Sequence, residues 1–310
     1  MNISKDEAKT RQTASDGFIV VAVIWLLAAL ATFASIYALY VIDTAAAFRA
    51  YDDHLRAEAL VSGAVELAAY QLTSRAEHHP SIGQFSFRMG QARVDVEFRS
   101  EASRIDLNAA PKELLAGLFA ALGEGGVDAE KYAERVVAWR TAPVPGHQPE
   151  VSGDQAAGAR SAPGGAPFSN AEELALVGLP TDLVERALPL VTVYSGLGKV
   201  DVLEAVPEVI AALPGMTDDR LNAVLAQRQA TSGDGRSLLP LLGRAQAYAS
   251  TEAANASRLT VDITFEDGLQ TSSEVVILTY EKGNVPYSVL SWRDQLDHPP
   301  GNVGLGVGLR

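Results

Sequence analysis

From Phe18 to Ile42 the chain carries 25 residues without a single charge (FIVVAVIWLLAALATFASIYALYVI). At about 1.5 Å per residue such a helix reaches about 37 Å, enough to cross a hydrocarbon core of about 30 Å with some tilt. A core helix of this length would show a polar stripe, and this one shows none. The stretch also exceeds the roughly 7 to 15 apolar residues of a cleaved secretory signal. One membrane span over 18–42 is therefore predicted. Beyond Asp43 helical spacing persists: Phe48, Tyr51 and Leu55, then Val61, Val65, Ala68 and Leu72, with Gly63 the one interruption. The pattern predicts one long helix, its residues 43–79 continuing outside the lipid.

The pattern then changes period. Phe85, Phe87 and Met89 alternate, as do Ala92, Val94, Val96 and Phe98, around Gly90-Gln91, which predicts a hairpin on a tight Gly-X turn. Alternation returns at Leu259, Val261, Ile263 and Phe265. Val275–Tyr280 and Tyr287–Trp292 follow, separated by Glu281-Lys282-Gly283-Asn284. Between the two groups lies a strand-poor middle of short helices, predicted over 129–140, 170–177, 181–190, 207–213 and 218–230. A further helix begins near Pro111 with Asn108 as its expected cap. Residues 142–169, rich in Gly, Pro, Ala and Ser, read as a surface loop. The fold class is α+β. The division is a polar leader 1–17, span 18–42, continuation 43–79, a head of 80–104 with 251–310, and a helical segment 105–250 between them. Within that segment Arg104-Ile105-Asp106-Leu107 and Glu113-Leu114-Leu115-Ala116 match Lys199-Val200-Asp201-Val202 and Glu208-Val209-Ile210-Ala211 at a constant offset, a weak internal repeat.

Composition narrows the chemistry. There is no cysteine, which removes disulfides, thiolate metal sites and cysteine nucleophiles. The net charge of −13 opposes a general nucleic-acid surface, which needs cations to displace counterions. The five histidines (His54, His78, His79, His147, His298) show no zinc-ligand spacing. No nucleophile-elbow, Walker or dinucleotide motif appears, so no enzyme is predicted. Leu213-Pro214-Gly215-Met216-Thr217-Asp218-Asp219 has the outline of a helix-hairpin-helix, whose loop N–H groups can bind phosphate. Its second loop glycine is missing, and Asp218 and Asp219 stand where phosphate would approach; they suit a helix N-terminus instead.

Asp16-Gly17-Phe18 before the apolar helix resembles a type IV prepilin signal. The run Val23-Ile24-Trp25-Leu26-Leu27 resembles the start of the general secretion pathway protein K family, the largest minor pseudopilin of type II secretion. Ser103–Pro111 resembles that family's Asn-Leu-Asn-Thr-Ala-Pro signature, with Asp106 and Ala109 as departures, and Tyr287–Arg293 resembles its C-terminal strand. The resemblance implies an antiparallel-sheet pseudopilin head carrying a large inserted all-helical domain. It implies cleavage between Gly17 and Phe18 by a prepilin peptidase, with N-methylation of Phe18. It also implies a single-pass inner-membrane protein with a periplasmic head at the pseudopilus tip. Its partners there would be the minor pseudopilins I and J, with H and the major pseudopilin beyond them, and no nucleic acid. Ala22 fills the fifth mature position, where most pilins carry Glu; Asp16 stands where the family has a cation. Close helix packing would use small residues such as Ala22, Ala28, Ala29, Ala31, Ala34 and Ser35. No cofactor is required. The resemblance allows calcium, yet no local acidic spacing fixes a site, with Asp262, Glu266 and Asp267 the nearest to one. The rival reading is a membrane-anchored DNA receptor of the competence type, which carries similar Asn-x-Asn-x-Ala and Leu-Pro-Gly segments.

Overall fold

The computed structural model describes residues 6–74, 80–141, 165–230, 235–280 and 285–295, and the chain forms two compact units, Met1–Ala59 and Leu60–Arg310. Helix α1 (Asp6–Ser74, 69 residues) makes up the described part of the first unit and opens the second. Its helical run starts inside the expected leader, because residues 6–17 contain no proline and only one glycine, at the end. Within the second unit Leu60, Val61, Ala64, Val65, Ala68, Ala69 and Leu72 form a buried stripe one helical face wide.

Strands β1 (Ile82–Met89) and β2 (Ala92–Ser100) form the expected hairpin, Met89 pairing with Ala92. Gly90 has φ 61° while Gln91 stays at negative φ, the pattern of a II′ turn that matches the strand twist. Ala92, Val94, Val96 and Phe98 are buried on one face.

The chain then leaves the sheet. Strand β3 (Ile105–Asp106), α2 (Lys112–Ala121), α3 (Gly126–Thr141), a 3-10 segment Ala171–Val177, α4 (Thr181–Ala187) and β4 (Val191–Thr192) form a first group. Strand β5 (Val200–Asp201), α5 (Pro207–Ala211), α6 (Asp218–Ala230), α7 (Leu239–Leu242) and β6 (Ala249–Ser250) form a second. β3 pairs with β4, and β5 with β6, both in parallel, so the insertion is not all-helical as expected. Two-residue strands are too short to show an alternation in sequence. The predicted 170–177 helix is a 3-10 segment, and the predicted 181–190 helix is α-helical to Ala187 and tightens into 3-10 geometry over Leu188–Leu190, around Pro189.

The repeat is structural. Asp106 and Asp201 stand 95 positions apart, and each closes a turn by accepting at its backbone carbonyl, from Ala110 N–H at 2.8 Å and Ala205 N–H at 3.0 Å. The following N–H groups complete each strand pair, Leu107 to Thr192 O and Val202 to Ser250 O. The partner strands end alike, Thr192 Oγ1 accepting from Tyr194 N–H and Ser250 Oγ from Glu252 N–H, both at 3.1 Å. Gly117 and Ala212, again 95 apart, meet between the copies: a Cβ on Gly117 would lie 1.9 Å from Ala212 O. One continuous apolar core joins the two copies.

Asn108 does not cap α2, which starts after Pro111 with no side-chain cap. It lies too far ahead of the first helical N–H groups. Instead it brackets Phe168, donating to Phe168 O at 3.0 Å and accepting from Phe168 N–H at 2.8 Å. Most of the predicted loop, 142–164, lies outside the described residues.

Strands β7 (Ala256–Phe265), β8 (Gln270–Thr279) and β9 (Tyr287–Gln295) complete a five-stranded antiparallel sheet, ordered β1-β2-β7-β8-β9. The predicted turn 281–284 lies outside the described residues. Leu259, Val261, Ile263 and Val275 extend the buried face of β2. The buried stripe of α1 and this face of the sheet supply the apolar surfaces of the head. Helix and sheet form two layers, and the insertion emerges between neighbouring strands β2 and β7.

Candidate functional site

Two features stand out. The first is the apolar part of α1, Val20–Ala45, long and apolar enough to cross a membrane and wholly unburied, with Trp25 75% exposed. It overlaps the predicted span. Its Ser and Thr hydroxyls are internally satisfied: Thr32 donates to Ala28 O, Ser35 to Ala31 O and Thr44 to Tyr40 O, at 2.7 to 2.9 Å. A hydroxyl bonded back to its own helix leaves no polar group without a partner in lipid. The Gly17–Phe18 peptide falls inside the helical run with no break. Of the small residues singled out, Ala28, Ala31 and Ser35 fall within about 60° around the helix, at about 100° per residue. Ala22 and Ala29 share a second face about 140° away, and Ala34 belongs to neither. All six are exposed.

The second feature is the junction of head and insertion, which the sequence did not disclose. Glu101, in a 3-10 turn directly after β2, is 1% exposed. Its Oε1 accepts from Arg258 Nε of β7 at 2.7 Å, and its Oε2 accepts from Thr192 Oγ1 of β4. Arg258 also pairs with Glu274 of β8. Burial alone would lower the Arg258 pKa, but Glu101 and Glu274 together raise it. Arg104, beside them, is pushed down by burial and then by Arg258. These groups border a cavity of about 130 Å³. On the second repeat Asp201, fully buried, accepts from Ser81 Oγ ahead of β1 at 2.7 Å and from Leu203 N–H at 3.0 Å. Burial pushes its carboxyl above the ordinary range, and the Ser81 and Leu203 hydrogen bonds offset only part of that. Strand alternation puts Arg258 on the outer face of β7, but nothing local shows that Glu101 turns inward to meet it. The partial signal for Asp201 was the repeat itself.

The hairpins between insertion helices hold arginines rather than offering a phosphate cradle. Arg220 donates to Gly215 O at 3.2 Å, Arg135 to Gly178 O at 2.7 Å, and Arg186 to Leu122 O. Arg140 reaches Leu107 O and Ala110 O, and Arg228 reaches Ala205 O at the matching place in the second repeat. Asp218 and Asp219 occupy the first turn of α6. Among the described residues no group of three or more His, Asp or Glu side chains comes together as a metal site. Asp262 faces Asp95 across the β2–β7 pair, and Asp267 Oδ1 accepts from Leu269 N–H in the next turn, so Asp262, Glu266 and Asp267 do not converge. His54 is exposed on α1; His78, His79, His147 and His298 lie outside the described residues.

No protein-family model and no curated protein matches the chain. A solved structure does. A chain of the GspK-GspI-GspJ complex from the type 2 secretion system of enterotoxigenic Escherichia coli superposes with a TM-score of 0.54 at 18% identity. The match covers 79% of this chain and 98% of that one. The chain shares the fold of that protein.

Proposed function

We propose that this chain is a minor pseudopilin at the tip of a type II secretion pseudopilus, where it helps initiate assembly and export folded proteins across the outer membrane. The observation that supports this best is the structural match, which spans nearly the whole of a chain solved together with GspI and GspJ. On this reading the protein crosses the bacterial inner membrane once through Val20–Ala45 and holds its head in the periplasm. A prepilin peptidase cuts between Gly17 and Phe18 and methylates Phe18. Assembly, not a chemical reaction, is the mechanism, and it needs no cofactor. Two separate small-residue faces, Ala28/Ala31/Ser35 and Ala22/Ala29, suit contact with two different neighbouring helices, those of pseudopilins I and J. Pseudopilin H and the major pseudopilin would lie further down the filament. The insertion, set between β2 and β7, adds the bulk that stops a further subunit from stacking above.

No observation favours the DNA-receptor reading. A phosphate-binding hairpin needs free cations and open N–H groups, whereas the hairpin arginines here are bonded to backbone carbonyls. Co-expression with a prepilin peptidase and mass analysis of the N-terminus tests the proposal. N-methylated Phe18 as the first residue, followed by co-purification with I and J, is expected. An uncut chain that ignores I and J would overturn it.

A further inference from the structure

The insertion is joined to the sheet by two covalent crossings, Ser100 to Ile105 and Ser250 to Ala256. Two bare linkers of this kind would let an inserted body swing. The side chains around them argue otherwise. Ser100 Oγ ties the crossings to each other, accepting from Ala102 N–H at 3.2 Å and Ala254 N–H at 2.8 Å. Glu101 reaches Arg258 of the head with one oxygen and Thr192 of the first repeat with the other. Asp201 of the second repeat reaches Ser81 of the head, and beside it Arg99 of β2 donates to Glu204 O at 3.2 Å.

We propose that two buried carboxylates, Glu101 and Asp201, each clamp one repeat of the insertion to the sheet, so that head and insertion move as one rigid body. The logic is geometric. A single clamp leaves rotation about its own axis, whereas two clamps on different repeats, one ahead of β1 and one at β7 along the same end of the sheet, oppose it. Gly117 packed on Ala212 O then prevents the two repeats from shearing past each other. Burial gives the clamps their stiffness. A hydrogen-bonded carboxylate taken out of water cannot trade its protein partners for solvent without a large penalty. The exposed pair Arg293–Glu172 also links head to insertion at 2.5 Å, but both side chains are about half exposed, so water competes for it.

The absence of cysteine makes a direct test available in the detergent-solubilised full chain. Spin labels on Thr264→Cys with Glu130→Cys report the first repeat against the head, and Thr264→Cys with Asn222→Cys the second; all three positions are exposed. Pulsed electron double resonance should give one narrow distance distribution for each pair. Thr192→Val and Ser81→Ala each remove one hydroxyl without uncovering a charge. Thr192→Val should broaden the first pair alone, Ser81→Ala the second alone, and the double variant both. Narrow distributions that persist in the double variant, or broad ones in the unmodified background, would overturn the proposal. Hydrogen exchange on the unaltered protein gives an independent reading. The amides of Leu107 and Val202 should exchange together with those of β7, and earlier exchange of the two insertion amides would show an insertion that opens by itself.

Discussion

Asp106 and Asp201 hold the same place in two copies of one unit, yet their side chains face different work. The Asp106 carboxylate accepts four hydrogen bonds, all from the insertion: Asn108 and Ala109 N–H on Oδ1, Gly196 N–H and Ser195 Oγ–H on Oδ2. Asp201 accepts one bond from its own turn and one from the head. The first copy has closed its carboxylate inward with a full set of donors. The second has turned an under-supplied, deeply buried carboxylate outward. One repeated position thus serves as a stabilising turn in one copy and an attachment point in the other.

The largest effect should come from Glu101→Gln. It leaves Arg258 buried with one anion instead of two and should lower stability by about 3 kcal/mol, read by chemical denaturation. Next comes Gly117→Ala at the seam between copies. Its methyl meets Ala212 O head-on, and overpacking of this kind costs about 1–3 kcal/mol. A melting temperature that did not fall would mean the two copies can slide apart.

The aspartate comparison is sharpened by making the same substitution twice. Asp106→Asn turns one oxygen into an NH₂ facing two donors and should cost about 1–3 kcal/mol. Asp201→Asn keeps an acceptor for Leu203 N–H and offers a donor to the Ser81 hydroxyl, while removing a buried charge, so stability at neutral pH should hold or rise. The sign follows from the raised carboxyl. Between the ordinary value of 3.8 and the raised native one, folded chains hold a proton that unfolded chains have released, so this residue's contribution falls as pH rises through that window. Asp201→Asn should flatten that part of the stability–pH curve, and Asp106→Asn should leave it in place. The smallest effect belongs to Arg293→Ala, which breaks a surface pair and should stay within about 1 kcal/mol.

The large elements were legible because each had many residues in which to repeat a period. The uncharged run after Gly17, the alternation of Val94, Val96 and Phe98, and the turn at Gly90 all sit where their patterns put them. Helix α6 begins and ends where Asp218 and Ala230 suggested. What stayed hidden was short or long-range. β3 to β6 have two residues each, too few for any period. Asn108 looked like a cap from its neighbours alone, while its partner Phe168 stands 60 residues away. Glu101 reads as loop polarity, and only the folded chain brings Thr192 and Arg258 to its two oxygens.

The bracketing of Phe168 by Asn108 has a practical side. Gly165 N–H donates to Trp139 O at 2.8 Å, and the Trp139 and Phe168 rings stack 5.9 Å apart. Both ends of the 142–164 stretch are thereby anchored to the first repeat, whatever sequence runs between them. Lengthening a closed loop is cheap, about 0.6 kcal/mol for each doubling. An insertion between Thr141 and Gly165 is therefore a route to a fluorescent reporter or an epitope, which on the proposed function would mark a pseudopilus end while leaving the sheet and both proposed carboxylate clamps untouched.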